Sequence, residues 1–224
     1  KGKWGEKQEQ IILLKKELET NLSKDNYKNS EIPIDTIINL INQKLNEKQQ
    51  KLVILIFELL EIIINKLNEI FNEEYLPILS ASIINNLNDN NIQLRYKAAT
   101  VILKILKFNK REFFISQLIE SLKIDKNNMR IEILTILAQY YSSSKNSFSK
   151  KAIQNYFELL TESLVLCIED KFNKIRNLSE DLIKESTKYI PIDRYYKASK
   201  DLYSKVVQDK VNSKIKEIYG LDNE

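Results

Sequence analysis

Three stretches decide the fold: NDNNIQLRYKAATVIL (88–103), DKNNMRIEILTIL (125–137) and EDKFNKIRNLSEDLI (169–183). Each opens on a short turn of Asp, Asn or Lys. Each then sets an apolar residue before an arginine (Arg95, Arg130, Arg176) and runs into an apolar helical pattern. The arginines stand 35 and 46 positions apart, and NEKQQKLVILI, from Asn46, is a degenerate copy of the same unit. Spacings of roughly 35 to 47 residues with two helices per unit are those of HEAT-type solenoids. The turn chemistry has a local cause. An Asp or Asn at the turn satisfies free N–H groups of the helix that follows. An Arg one turn into that helix can reach an Asp of its own or the adjacent repeat. Asp89, Asp125, Asp170 and the three arginines are therefore read first as a structural ladder.

Outward from these units, helical spacing of apolar residues dominates. It runs through Ile11 to Leu22, Ile37 to Leu45, Leu52 to Leu67, Leu76 to Leu87, Ala98 to Phe108, Phe114 to Leu122, Ile131 to Tyr141, Tyr156 to Ile168 and Leu178 to Ile190. About eleven helices are expected, with Pro33, Pro77 and Pro191 at helix beginnings, where proline is tolerated. The longer linkers are Asp25 to Pro33 and Ser142 to Ser149. The stretch from Leu52 to Leu67 is the most apolar. Glu58 and Glu61 interrupt it, so it reads as a helix buried between neighbours rather than a membrane span.

Composition narrows the function classes. With only 3 Gly and 3 Pro in 224 residues, strand folds and phosphate-binding loops lack the turns they need. The absence of His removes the common catalytic base and metal ligand. The single Cys167 permits no internal disulfide, sits in an apolar run as a small core residue, and fits a reducing cytosol. No nucleotide loop or metal-spaced cluster is present, so no catalytic, cofactor-binding or metal residues are named and an enzyme is not expected. A net charge of +4 with mixed signs is too dispersed for a nucleic-acid surface. Tyr140–Tyr141 and Tyr195–Tyr196 are expected to place one ring of each pair in the core and one at the surface. The polar start shows no signal peptide, and a chain opening on Lys1 rather than Met is expected to be an excerpt of a longer protein.

The sequence resembles a TOG domain over essentially its whole length. WGEKQEQIILLKKEL (4–18) is similar to that family's opening Trp-Lys-x-Arg-x-Glu-Ala-Leu. Trp4, Lys7, Glu9 and Ile11 stand at the Trp, Arg, Glu and Leu positions, while Gly5 and Gln10 depart from it. LNDNNIQLR (87–95), NNMRIEILTIL (127–137) and EDKFNKIR (169–176) are similar to the third, fourth and fifth repeat turns, with Phe172 where Asn is usual. The tail from Asp193 to Gly220 looks like the closing helices of the internal polymerase domains of the family.

The resemblance implies an all-α solenoid of about six HEAT-like repeats forming a flat paddle, with residues 1–224 as one domain. It also implies a non-enzymatic, cofactor-free function. That function is binding of the αβ-tubulin dimer through intra-repeat turns, by a cytoplasmic microtubule regulator of the polymerase, rescue or ciliary type. The isolated domain is expected to be monomeric, without nucleic-acid or membrane partners. The tubulin-binding residues carried over are Trp4, Lys7, Lys48, Asn90, Asn91, Lys126, Lys171, Lys174 and Arg176. Trp4 lies in a polar, glycine-flanked segment ahead of the first helical pattern. It is either a hydrophobic staple or an exposed interface anchor, and its lack of apolar neighbours favours the anchor. Two other readings stand beside tubulin capture. One is a HEAT adaptor holding a peptide or partner subunit on its helical face. The other is a pseudo-TOG with a purely architectural role.

Overall fold

The computed structural model describes residues 3–28, 33–108, 112–143 and 156–221. Among them are eleven α-helices: α1 (Lys3–Asn21), α2 (Ile34–Leu45), α3 (Gln50–Leu67), α4 (Leu76–Asn85), α5 (Ile92–Ile105), α6 (Glu112–Ser121), α7 (Asn127–Ser143), α8 (Phe157–Ile168), α9 (Asn173–Ser186), α10 (Ile192–Leu202) and α11 (Lys205–Ile218). Parts of both longer linkers fall outside the described residues. The chain forms two compact units, Lys1–Phe114 and Ile115–Glu224.

In the first unit, α3 packs against α1, α2 and α5, and α2 packs against α4. Nine residues of α3 between Leu52 and Leu67 are buried, as its apolar run requires. The two carboxylates that interrupt the run mark its sides. Glu58 pairs with Lys15 of α1 at 2.7 Å, and Glu61 pairs with Lys104 of α5 at 3.4 Å. No helix among the described residues is long and apolar enough to cross a membrane.

In the second unit, α9 packs against α7 and α8, α8 against α10, and α10 against α11. Each unit is thus two layers of helices, in which every second helix stacks on its like.

The repeat shows in the separations of the contacts. Lys15–Glu58, Lys24–Glu69 and Lys66 Nζ to the Glu19 carbonyl join residues 43, 45 and 47 apart. In the second unit, Arg130–Asp170, Ser163–Ile119 and Tyr203–Val165 join residues 40, 44 and 38 apart. Partners advance together along the chain, so stacked helices run parallel and their starts lie at one end of each unit.

Prolines mark three helix beginnings. Pro33 and Pro191 are the N-caps of α2 and α10, and Pro77 is the second residue of α4. A π-helical turn, Phe71–Tyr75, leads directly into α4 and buries Phe71, Asn72 and Tyr75. The proline ring would crowd the carbonyl four residues back in an unbroken α-helix, and the wider turn gives it room.

One expectation fails. Tyr140 and Tyr141 are both buried, 8% and 5% exposed, with rings edge-on at 5.3 Å. Adjacent helix positions point about 100° apart, yet Tyr141 is covered by its neighbours, Tyr156 among them. The other pair behaves as expected, with Tyr195 fully buried and Tyr196 half-buried.

Cys167 is buried, and burial pushes its thiol up to about 12 from 9.0. Burial likewise raises Tyr203 and Tyr219 to about 12 from 10.0. These groups stay protonated in the fold while the unfolded chain would release their protons. Their contribution to stability is therefore complete below about pH 9 and is lost as pH rises towards 12. Urea midpoints measured from pH 8 to 11 should fall steadily over the upper part of that range. A thiol reagent should label Cys167 only once denaturant is added, and rapid labelling of the native protein would contradict this burial.

Candidate docking surface at the helix-joining turns

The turns are built by one device used twice. Asp89 Oδ1 accepts from the Asn91 N–H at 2.7 Å, and Asp170 Oδ1 accepts from the Phe172 N–H at 2.8 Å. Arg95 Nη1 then donates to the Asp89 and Asn90 carbonyls at 2.8 and 3.3 Å. Arg176 Nη1 donates to the Asp170 and Lys171 carbonyls at 2.8 and 3.1 Å. Each arginine is the fourth residue of its helix and clamps the turn that precedes it.

Each aspartate also reaches back one repeat. Asp170 Oδ2 accepts from Arg130 Nη1 at 2.5 Å, and Arg130 Nε also donates to the Leu122 carbonyl at 2.9 Å. Asp89 Oδ1 accepts from Gln50 Nε2 at 2.8 Å, and Gln50 Oε1 accepts from Asn91 Nδ2 at 3.1 Å. The ladder expected from the sequence is present, with Gln50 supplying the rung that an arginine supplies elsewhere. Sequence reasoning missed Gln50, although its 39-residue separation from Asp89 nearly repeats the 40 between Arg130 and Asp170. Arg95→Ala leaves the two turn carbonyls without their donor. It should cost about 1–3 kcal/mol. Thermal melting checks this, and an unchanged midpoint would remove Arg95 from the structural set.

In the first unit, the ladder brings the turn between α2 and α3 against the turn between α4 and α5. A polar recess of about 350 Å³ lies there, lined by Asn46, Glu47, Asn85, Asn88, Asp89 and Asn90 among others. The start of α1 is close by. Glu47 is held below the usual carboxylate range, first by its hydrogen bond from Lys44, with the charges of Lys44 and Lys7 adding to the effect. In the second unit, the Arg130–Asp170 pair joins the turn before α7 to the turn before α9.

The nine residues singled out in the sequence divide between these clusters. Lys7, Lys48 and Asn90 are exposed at the first, and Lys126, Lys171 and Lys174 are exposed at the second. Two placements correct the sequence reading. Trp4 is not ahead of the first helix but within it, because α1 begins at Lys3, and Lys7 lies in the same helix. Its first turns are made of Glu, Lys and Gln, good helix formers that carry no apolar signal. Lys174 is likewise the second residue of α9 rather than a turn residue. The side chain of Trp4 lies outside the described residues.

Asn91 is the N-cap of α5, accepting from the Gln93 N–H at 2.9 Å, so its carboxamide is engaged within the fold. Arg176 is engaged too, since its Nη2 adds a bond to Asn173 Oδ1 at 3.1 Å. Phe172 is exposed as the N-cap of α9, and Lys171 lies over its ring at 5.5 Å. Among the described residues, no three His, Cys, Asp or Glu side chains gather as a metal would need.

No family model and no curated protein matches this sequence. Solved structures do match. A crescerin TOG domain, from an array that regulates microtubules in the primary cilium, shares 17% identity at a TM-score of 0.70, over 92% of this chain and 82% of that one. The TOG domain of C. elegans Zyg9 shares 15% identity at a TM-score of 0.69, over 97% of this chain and 78% of that one. A third structure concerns TOG–tubulin binding specificity in microtubule dynamics and mitotic spindle formation. It shares 15% identity at a TM-score of 0.66, over 92% of this chain and 76% of that one. The chain has the fold of TOG domains.

Proposed function

We propose that this chain binds the αβ-tubulin dimer through its helix-joining turns and acts as a non-enzymatic regulator of microtubule dynamics. The observation that carries this reading is the gathering of exposed turns at the helix starts of each unit, in a chain with the TOG fold along nearly its full length. In this reading the two units work as a single domain, residues 1–224. Lys7, Lys48 and Asn90 meet tubulin from the first unit, with Trp4 as the anchor at the start of α1. Lys126, Lys171 and Lys174 offer positive charge from the second to acidic patches on the dimer. Asn91 and Arg176 support these surfaces by fixing their turns. Preference for curved over straight tubulin would let the domain capture unpolymerised dimers, since only differential affinity shifts an equilibrium. The site of action is the microtubule cytoskeleton of the cytoplasm, with the centrosome, spindle and cilium as its finer locations. A general peptide-holding adaptor is not favoured, because the similar structures described above are TOG domains.

The test is co-migration with purified αβ-tubulin in size-exclusion chromatography at low salt. A shared earlier-eluting peak is expected. Separate elution at tens of micromolar would leave the architectural reading in its place.

A further inference from the structure

The turns do not account for an apolar groove in the first unit. Ile54 of α3 and Ile92, Gln93, Tyr96 and Lys97 of α5 line a depression of about 430 Å³. Ile92 is 69% exposed and Tyr96 70%, on the first turns of a helix whose inner face is otherwise well buried. Such side chains cost solvation and contribute nothing visible to the packing of α5. Exposed apolar side chains gathered in one depression offer a seat for an apolar group of a partner.

The charges around the groove say what it takes. Lys97 lies in its wall and Lys51 is exposed one turn before Ile54. Among the described residues, neither lysine has an ion pair. The nearest carboxylates along α3, Glu58 and Glu61, are already neutralised by Lys15 and Lys104. The groove therefore presents an apolar floor with Lys97 in its wall and Lys51 beside its mouth, while the carboxylate of Asp89, at these helix starts, is turned to Gln50 and the Asn91 N–H. The free phenol of Tyr96 can donate a further hydrogen bond to a carboxylate.

We infer that this groove binds an acidic peptide segment that carries one bulky apolar side chain. The apolar side chain seats between Ile54, Ile92 and Tyr96, and flanking carboxylates pair with Lys51 and Lys97. The groove adjoins the turn cluster of the first unit, since Ile92 follows Asn91 and Lys51 follows Gln50. Its test uses no tubulin, so either proposal can fail without the other.

The probe is a fluorescein-labelled nine-residue peptide with a central Phe among Glu residues. Its controls carry Lys in place of Glu, or Ala in place of Phe. Binding is read by anisotropy on the intact chain and located by shifts of the isoleucine methyls of Ile54 and Ile92. The acidic Phe peptide should bind best and move both methyls. Tyr96→Ala should weaken it about tenfold, the scale of a lost interface aromatic. Lys97→Glu should weaken it comparably at low salt and less at high salt. Tyr96 faces solvent and Lys97 is half-buried without an ion pair among the described residues, so both variants should melt with the wild type. Equal binding of the Lys peptide, binding indifferent to Tyr96→Ala, or unmoved methyls would overturn the inference. So would a concentration-dependent dimer of the wild type that Tyr96→Ala abolishes, which would assign the groove to a second copy.

Discussion

Asp170→Ala is expected to destabilise the second unit by about 3–5 kcal/mol, the usual cost of breaking one side of a buried ion pair. The Asp170 carboxylate is 1% exposed and the Arg130 side chain 11%, so neither is well served by water. Removing the carboxylate leaves the Arg130 guanidinium with only the Leu122 carbonyl and the exposed Asp125. It also strips the Phe172 N–H of its acceptor at the start of α9. Asp170→Asn keeps an acceptor for that N–H but turns a donor NH2 towards Arg130 in place of Oδ2, so it should fall between alanine and wild type. Urea unfolding followed by circular dichroism measures both. If Asp170→Ala unfolds with the wild type, the turn is held by Arg176 alone and the ladder between repeats is dispensable.

Trp4→Ala is expected to weaken tubulin binding by about 2 kcal/mol or more at any salt, because a desolvated aromatic anchor owes little to long-range charge. Trp4 is the second residue of α1, and the influence of Lys7 on Glu47 puts that helix start beside the turn between α2 and α3. Lys174→Ala removes an exposed charge, so its effect should be about 0–1 kcal/mol and should fade as salt rises. Alanine is a better helix former than either residue it replaces, so neither variant should melt earlier. Sedimentation with tubulin at low and moderate salt separates the two behaviours. Wild-type binding by Trp4→Ala together with earlier unfolding would make Trp4 a staple of α1 rather than an anchor.

The sequence alone determined the features that arise within one repeat. Helical spacing exposed the all-α class and the approximate number of helices, because burying one face of a helix constrains residues three and four apart. The recurring turn exposed the repeat and the roles of Asp89, Asp170, Arg95 and Arg176, because an Asx turn and the arginine that clamps it lie within a few residues. The burial of Cys167 was legible for the same reason, since it lies in the apolar run LVLCI (164–168).

What the tertiary structure decided involves partners some 40 residues apart. Nothing near Glu58 or Glu61 says that Lys15 and Lys104 neutralise them, and nothing near Gln50 says that it completes a rung with Asp89. The second ring of the Tyr140–Tyr141 pair is covered by other parts of the chain, which a helical wheel cannot represent. Polar helix starts such as those of α1 and α9 give no periodic signal, so Trp4 and Lys174 read as turn residues until the backbone placed them. The candidate surface follows the same division. Its turns could be found from local chemistry. Which of their side chains are free to meet a partner, and which are engaged as Asn91 and Arg176 are, depends on how successive repeats stack.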